Sequence, residues 1–454
     1  MNKPNADRPI NRFIYLVFLI GLGFLWTGTA YIVQAYRLLN DLDGETVNLI
    51  VCGLYYLLQA SGIAIVALLY RSRNPLAGGR LLPLIATLLI ISSTSLAMLS
   101  NLLIVIISAG ALMNLAIGVL SACYLTRLAT DLPKKYRGLV FGSAYALGSI
   151  GSWLLSLPMN GKFLWNELSL LAIIIPAAFS LLLLLRLAPP QKTANISDPI
   201  SFTFERRDFW LAGLLLFLLS AVNMIGFSFP LHNASESVYI EFTRAFYALG
   251  LVIAGLVSDK SRKWGAICCL ASLAFPFAAL ALGGSMTGET MMWIFAYLFL
   301  GFFAVYRILL FSDIADSVGL PELAVLGLLA GRLGEAVGSL GHLLPKTPLI
   351  LLAAFLFVLV ILLFFVLHHR YYSTVISTDE LEKRQCELYA VRCNFSVREK
   401  EIFQFILQGM SNSEIAKTLF ITESTVKFHI GHILKKTGFS SRSELIADYK
   451  QLNR

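Results

Sequence analysis

Apolar runs long enough to be helical spans recur through residues 13–367, with short polar breaks between them. They fall near 13–36, 46–70, 81–99, 101–124, 138–158 and 165–186, then 208–231, 238–258, 264–284, 290–311, 322–344 and 348–367. About 20 apolar residues cross the ~30 Å hydrocarbon layer as a helix, so twelve spans are expected. The longest polar stretch among them, 187–207, divides the spans into two sets of six. The weakest places are the break at Ser100–Asn101 and the span near 322–344, which holds Arg332, Glu335 and His342.

After Leu367 the pattern changes abruptly. Residues 368–394 are polar and charged and read as a linker. Within it, Thr378–Cys393 can form a short amphipathic helix with Leu381, Leu388 and Val391 on its apolar side. Residues 395–454 then read as a small soluble helical domain. Ser396 with Glu399 forms a capping box, followed by an apolar stripe of Ile402, Phe405 and Ile406, and Gly409 is placed to end the helix. Ser411 with Glu414 opens a second helix with Ile415, Ala416 and Leu419 inward. Thr422 caps a third, which Gly438 stops, and Ser441 caps a fourth through Leu445 and Ile446. The predicted fold class is all-α: residues 13–186 and 208–367 as two six-helix membrane halves, behind a cytoplasmic N-terminus at 1–12, plus the C-terminal domain.

Composition agrees with the spans. Hydrophobic residues make up 57% and charged residues 14%, against about 25% charge in soluble domains. The mean hydropathy is +0.74. The net charge of +9 is unevenly placed. Alternate breaks carry Lys3, Arg8 and Arg12, then Arg71, Arg73 and Arg80, then Arg127, Lys134, Lys135 and Arg137. The same side receives Arg186, Lys192, Arg206 and Arg207, and later Lys260, Arg262 and Lys263, while the other carries only Arg37, Lys162 and Lys346. The positive-inside rule then puts both termini in the cytoplasm of a cell-membrane protein. The acidic stretch at Asp313 and Asp316, read as a loop, does not fit this bias. The six cysteines form no C-x-x-C pair and mostly lie in or beside apolar runs, where they act as small hydrophobes. The N-terminus has no signal-peptide pattern: its first twelve residues are polar and the run after them is too long.

The third C-terminal helix carries the chemistry. Val426, Ile430, Ile433 and Leu434 form its apolar side, and Ser424, Thr425, Lys427, Phe428, Gly431, Lys435 and Lys436 form the other. Hydroxyls at a helix N-terminus hold phosphate, and lysines along one face reach phosphates or base edges in a DNA major groove. His429 and His432 are spaced i, i+3, but without a third ligand they read as packing or phosphate contacts rather than a zinc site. The strings S-x-R-E-x-E from Ser396, G-x-S-N-x-E-I-A from Gly409 and T-V-K-x-H-I-x-x-I-x-x-K from Thr425 occur in this order over about 55 residues. This segment closely resembles the LuxR-type helix-turn-helix. The resemblance implies that Lys427 and Phe428 read base edges and that Ser424, Thr425 and Lys435 hold phosphates. It also implies a dimer on double-stranded promoter DNA. Gly431 departs from the pattern, because many relatives place a contacting side chain there.

The membrane halves echo one another. Leu132–Pro133, glycines 138, 142 and 148 and Pro158 parallel Leu320–Pro321, glycines 327, 331 and 338 and Pro345. Two parallel six-span repeats are a transporter architecture. Residues 13–367 resemble the major facilitator superfamily, whose G-x-x-x-D-[RK]-x-G-[RK]-[RK] signature follows the second span of each half. The second half reads Gly255-Leu-Val-Ser-Asp259-Lys260-Ser-Arg262-Lys263, without the inner glycine, and the first half lacks the acidic residue. Nor does a deep acidic residue stand in the first half, since Asp131 is expected in a loop, so a proton-coupled cycle is not implied.

Charge inside a membrane is costly and points to function. Glu241, Arg244, Arg307, Arg332 and Glu335, with Gln34, Gln59, Asn114 and Asn223, lie in or near spans. Arg244, Arg307 and Glu335 are the candidate ligand-binding residues for a small molecule; the alternative for Arg307, Arg332 and Glu335 is a structural ion-pair cluster. No catalytic triad, metal cluster or phosphate-binding glycine loop is visible, so neither an enzyme nor a cofactor is expected. The reading is a one-component regulator that senses through its membrane part and binds DNA through its tail. The alternative is a secondary transporter with a regulatory DNA-binding tail.

Overall fold

The computed structural model describes residues 9–156, 167–186, 206–232, 240–281 and 286–452. All regular structure among them is helical. The chain forms two compact units, Met1–Leu367 and His368–Arg454.

The first unit contains α1 (Pro9–Leu39), α2 (Gly44–Asn48), α3 (Tyr55–Arg71), α4 (Leu81–Leu99), α5 (Leu103–Asp131), α6 (Arg137–Ser156) and α7 (Glu167–Leu185). These are followed by α8 (Arg206–His232), α9 (Ile240–Arg244), α10 (Phe246–Lys260), α11 (Arg262–Ala281), α12 (Met286–Val318) and α13 (Leu326–Ser339). The helix α14 (Lys346–Arg392) opens in this unit. Among the described residues, ten stretches are long and apolar enough to cross a membrane. The two other expected spans, near 165–186 and 264–284, fall on α7 and α11, each bordered by residues outside the description. The break at Ser100–Asn101 is real: α4 ends at Leu99, α5 begins at Leu103, and the Arg37 guanidinium donates to the Ser100 carbonyl at 2.8 Å.

The second span is not one regular helix. A π-helical segment, Leu49–Leu54, joins α2 to α3. A π-turn widens the helix and displaces carbonyls from the usual ladder, and such turns recur at functional sites. The Tyr31 hydroxyl donates to the Val51 carbonyl at 3.2 Å.

Packing repeats between the halves. α1 lies on α6 as α8 lies on α13, and the halves meet where α6 crosses α10 and α13 crosses α3. The glycine echo has its reason here. A Cβ on Gly142 would stand 2.3 Å from the Leu251 carbonyl oxygen, so only glycine lets α6 approach α10 this closely.

Where α6 begins, charges tie the halves together. The Asp259 carboxylate accepts from the Gly138 and Leu139 backbone amides at 2.8 and 2.7 Å, at the positive end of α6. Arg262 bonds Asp259 and Asp313, each at 2.8 Å. Lys134 reaches Asp313 at 3.6 Å, and Arg137 holds Asp316. Asp313 and Asp316 thus sit inside α12 rather than in a loop, neutralised by these cations, which is why they depart from the loop-charge bias. Asp131, also expected in a loop, is the last residue of α5 and lies 3.6 Å from Arg127. Helix α5 continues beyond the expected end of the span because these two buried side chains, four residues apart, pair along it.

In the second unit the end of α14 joins α15 (Val397–Leu407), α16 (Asn412–Leu419), α17 (Glu423–Thr437) and α18 (Arg442–Leu452) around one core. Both capping boxes form, at Ser396/Glu399 and Ser411/Glu414, and Thr422 caps α17. Gly438 ends α17 at φ 76°, a left-handed conformation suited to glycine. The buried members include Ile402, Phe403, Ile406, Ile415, Val426, Ile433 and Leu445.

Two expected faces are rotated. On α15, Phe403 is fully buried and Phe405, expected inward, only partly so. At the end of α14, Leu388 and Val391 are 63% and 61% exposed, whereas Cys386, Tyr389 and Ala390 are buried. Leu381 has its side chain outside the described residues. The Tyr389 ring sets this face. It stacks on Phe403 with centroids 5.3 Å apart and planes at 13°, and its hydroxyl donates to Asp448 at 2.7 Å. An aromatic that both stacks and satisfies its polar end outweighs two aliphatic side chains. Residues from the segment expected as a linker therefore form part of this core.

Candidate DNA-binding surface and a buried arginine cluster

In the C-terminal unit, α17 presents one open face. Ser424, Lys427, Phe428, Gly431 and Lys435 are all exposed, and Thr425 is half-buried. Their spacing of three or four residues keeps them on one side, opposite buried Val426 and Ile433. At the N-terminus of α17 the Thr422 hydroxyl accepts from the Thr425 amide at 3.2 Å and lies 2.7 and 2.8 Å from the hydroxyls of Ser424 and Thr425. Three hydroxyls at the positive end of a helix make a surface suited to an anion such as phosphate. The Phe428 ring remains 61% exposed while packing on His432, with centroids 4.4 Å apart. An exposed aromatic ring on such a face is able to meet base edges or methyl groups.

Lys436, expected on the same open side, is used within the domain. Its ammonium reaches Glu399 at 2.6 Å and the Asn394 carbonyl at 2.8 Å. Burial opposes ionisation of Glu399, yet Lys436 and the capping amide and hydroxyl of Ser396 hold its carboxyl below the usual 4.5. At Gly431 an added Cβ would meet nothing within 4 Å, so packing inside the unit does not call for glycine there.

In the membrane unit, Arg307 and Glu335 come together with Arg332. The Arg307 and Arg332 guanidiniums donate to the two oxygens of Glu335, at 2.6 and 2.5 Å. The Arg332 guanidinium lies 4.5 Å over the Tyr56 ring, and that of Arg307 5.1 Å from the Phe303 ring. Tyr56 in turn stacks on Tyr31, with centroids 6.0 Å apart. The Nε atoms of Arg307 and Arg332 are buried without a hydrogen-bond partner. Arg244 stands on α9; the side chain of Glu241 lies outside the described residues.

Three of the intramembrane amide side chains are held by the protein itself. Gln34 donates to the Ile106 carbonyl at 2.7 Å, Gln59 to Asn114 at 2.7 Å, and Asn223 to Ser272 at 2.9 Å. These bonds link helices without a ligand. Tyr56 was not legible as a site residue, because a tyrosine in an apolar run carries no signal of the arginine it meets.

A short helical bundle with capped helices and one polar, lysine-bearing face on its third helix is a DNA-binding helix-turn-helix domain. Residues 394–447 match the family described as "Bacterial regulatory proteins, luxR family". Over 51 residues the chain is 39% identical to the spore germination protein GerE of Bacillus subtilis, which covers 11% of this chain and 69% of GerE. Through this domain the chain belongs to the LuxR family of bacterial regulatory proteins. It is also 53% identical over 47 residues to the nitrate/nitrite response regulator NarL of Escherichia coli K12, covering 10% of this chain and 22% of NarL. The match thus spans about a fifth of NarL's length.

The membrane unit has a different relationship. The major facilitator transporter FucP, solved in its outward conformation, superposes with a TM-score of 0.58 at 13% identity, covering 79% of this chain and 99% of FucP. The human organic anion transporter MFSD10 does so at 0.58 and 15%, covering 79% and 100%. At that identity the likeness shows the fold alone: the chain is a multi-pass membrane protein with a major-facilitator-like unit and a LuxR-type DNA-binding domain.

Proposed function

We propose that this protein is a one-component transcription regulator of the cell membrane, with both termini in the cytoplasm. It senses a small molecule through its membrane unit and binds promoter DNA as a dimer through α17. The observation that carries the reading is the open face of α17 on a fully capped helix-turn-helix, in a chain whose other unit spans the membrane. In this reading Lys427 and Phe428 meet base edges, and Ser424, Thr425 and Lys435 hold phosphates. Gly431 leaves the helix backbone open to close approach.

The ligand shifts the membrane unit between two arrangements. The change reaches the DNA-binding core through α14, whose Tyr389 is part of that core. No phosphoacceptor domain is required.

The test uses the full-length protein in detergent and a duplex selected from a random library for tightest binding. Affinity should fall steeply with salt. Lys427→Ala should cost about 1–3 kcal/mol and relax the preference at one position, while Lys435→Ala should weaken all duplexes alike and reduce the salt slope by about 1. Binding that ignores both substitutions would sink the proposal. The major-facilitator fold keeps the transporter alternative in play. Sustained substrate flux into liposomes by the purified protein would favour it.

A further inference from the structure

We propose that the cluster of Arg307, Arg332 and Glu335 is a binding site for a small monoanion, a carboxylate on an apolar ring-bearing body, with Glu335 as a built-in counter-ion that the ligand competes with. This rests on the reading of the membrane unit as a sensor and names the chemistry of what it senses.

The first ground is charge. At the start of α6, three cations (Lys134, Arg137 and Arg262) bond three carboxylates (Asp259, Asp313 and Asp316), and that network is neutral. Among the described residues, two guanidiniums of the arginine cluster share one carboxylate, which leaves one positive charge over there. The Arg307, Glu335 and Arg332 side chains are 6%, 12% and 18% exposed, so the excess is only partly solvated by water. An uncompensated charge in such surroundings is unfavourable, and one added negative charge compensates it.

The second ground is hydrogen bonding. Each guanidinium gives one Nη1 to Glu335, while both Nε atoms are buried and unpartnered. Unlike those of Gln34, Gln59 and Asn223, these donors have no protein acceptor among the described residues. A guanidinium binds carboxylate through paired N–H groups, and Nε–H with an Nη–H is one of its two forks.

The third ground is the surroundings. Tyr56 lies under Arg332 and Phe303 under Arg307. These rings suit a flat apolar body beside the charged group. They come from both halves, so an anion seated here bears on how the halves sit against each other.

The probe is benzoate, with benzamide as its uncharged isostere, titrated calorimetrically into the full-length protein in detergent. Benzoate should bind and benzamide bind at least about tenfold more weakly, since a charge-assisted bond is worth that factor or more. Glu335→Gln removes the internal competitor and should tighten benzoate binding by about tenfold or more. Arg332→Gln should abolish the difference between the probes. Equal binding of the probes, no binding of either, or benzoate affinity unchanged or lowered in Glu335→Gln would overturn the proposal. If Arg332→Gln fails to fold, the Glu335→Gln titration still decides. DNA affinity of the same preparation, with and without Lys427→Ala, reports separately on the regulator reading.

Discussion

Each unit of this protein contains a largely sheltered glutamate bonded to basic side chains, and the two differ in completeness. In the DNA-binding unit, Glu399 takes Lys436 and the Ser396 amide, and its charge is balanced. It also closes a capping box, so its neighbours in sequence account for it. In the membrane unit, Glu335 is shared by two arginines whose Nε donors remain unused. A satisfied buried carboxylate is a structural part, whereas the unequal cluster is the one for which an added anion is proposed above.

The largest expected effect lies in the membrane unit. Glu335→Ala leaves two buried guanidiniums facing each other and should destabilise that unit by about 3–5 kcal/mol. Thermal unfolding followed by tryptophan fluorescence would report it, because all six tryptophans precede His368. Part of the loss should be recovered by added benzoate, and recovery by benzamide to the same extent would break the contrast with Glu399.

Next, Tyr389→Ala removes a stacked ring and the bond to Asp448. It should cost the C-terminal unit about 3–5 kcal/mol. Hydrogen exchange at the amides of Ile402–Ile406 in the full-length protein should rise sharply, while exchange within α5 and α12 stays put. Tyr389→Phe should cost only about 1 kcal/mol.

A smaller effect belongs to Glu399. Its folded-state value is lowered, so its contribution is present above its unfolded value near 4.5 and is lost as pH falls through the lower folded value. The C-terminal unit should therefore lose protection against exchange as the pH drops below about 4.5. Glu399→Gln should flatten that dependence and cost about 1–2 kcal/mol at neutral pH. An unchanged acid profile would mean that the pair with Lys436 adds nothing.

The smallest effect is a gain. Gly431 is exposed, helical and free of neighbours, so Gly431→Ala should stabilise the C-terminal unit by up to about 1 kcal/mol. Reduced exchange along α17 would show it. If DNA affinity falls in the same variant, the bare backbone at this position is used for close approach to DNA.

Much of the C-terminal unit was legible because its rules are local. Capping boxes operate over three residues, and glycine stops act where they stand. The errors there came from tertiary choices. Phe403 replaces Phe405 in the core, and Tyr389 turns the end of α14 so that Leu388 and Val391 face outward. Lys436 leaves the open face because Glu399, 37 residues earlier, claims it.

In the membrane unit, run length marked the spans, since the hydrocarbon layer imposes one length on every crossing helix. Loop counting failed at Asp131, Asp313 and Asp316, because helices extend past the apolar window when paired charges carry them on.

The sequence by itself determined that this chain is helical, spans a membrane many times and ends in a LuxR-type DNA-binding domain. Each of those follows from short-range periodicity, capping and motif spacing. Only the tertiary structure decided that Arg307 and Arg332 converge on Glu335 beside Tyr56 and Phe303. It also decided that Gln34, Gln59 and Asn223 are satisfied within the protein. The physical reason is the same in both cases. Pairing of buried polar groups depends on which helices meet and at what depth, and residues 28 positions apart, such as Arg307 and Glu335, carry no mark of that meeting in their order along the chain.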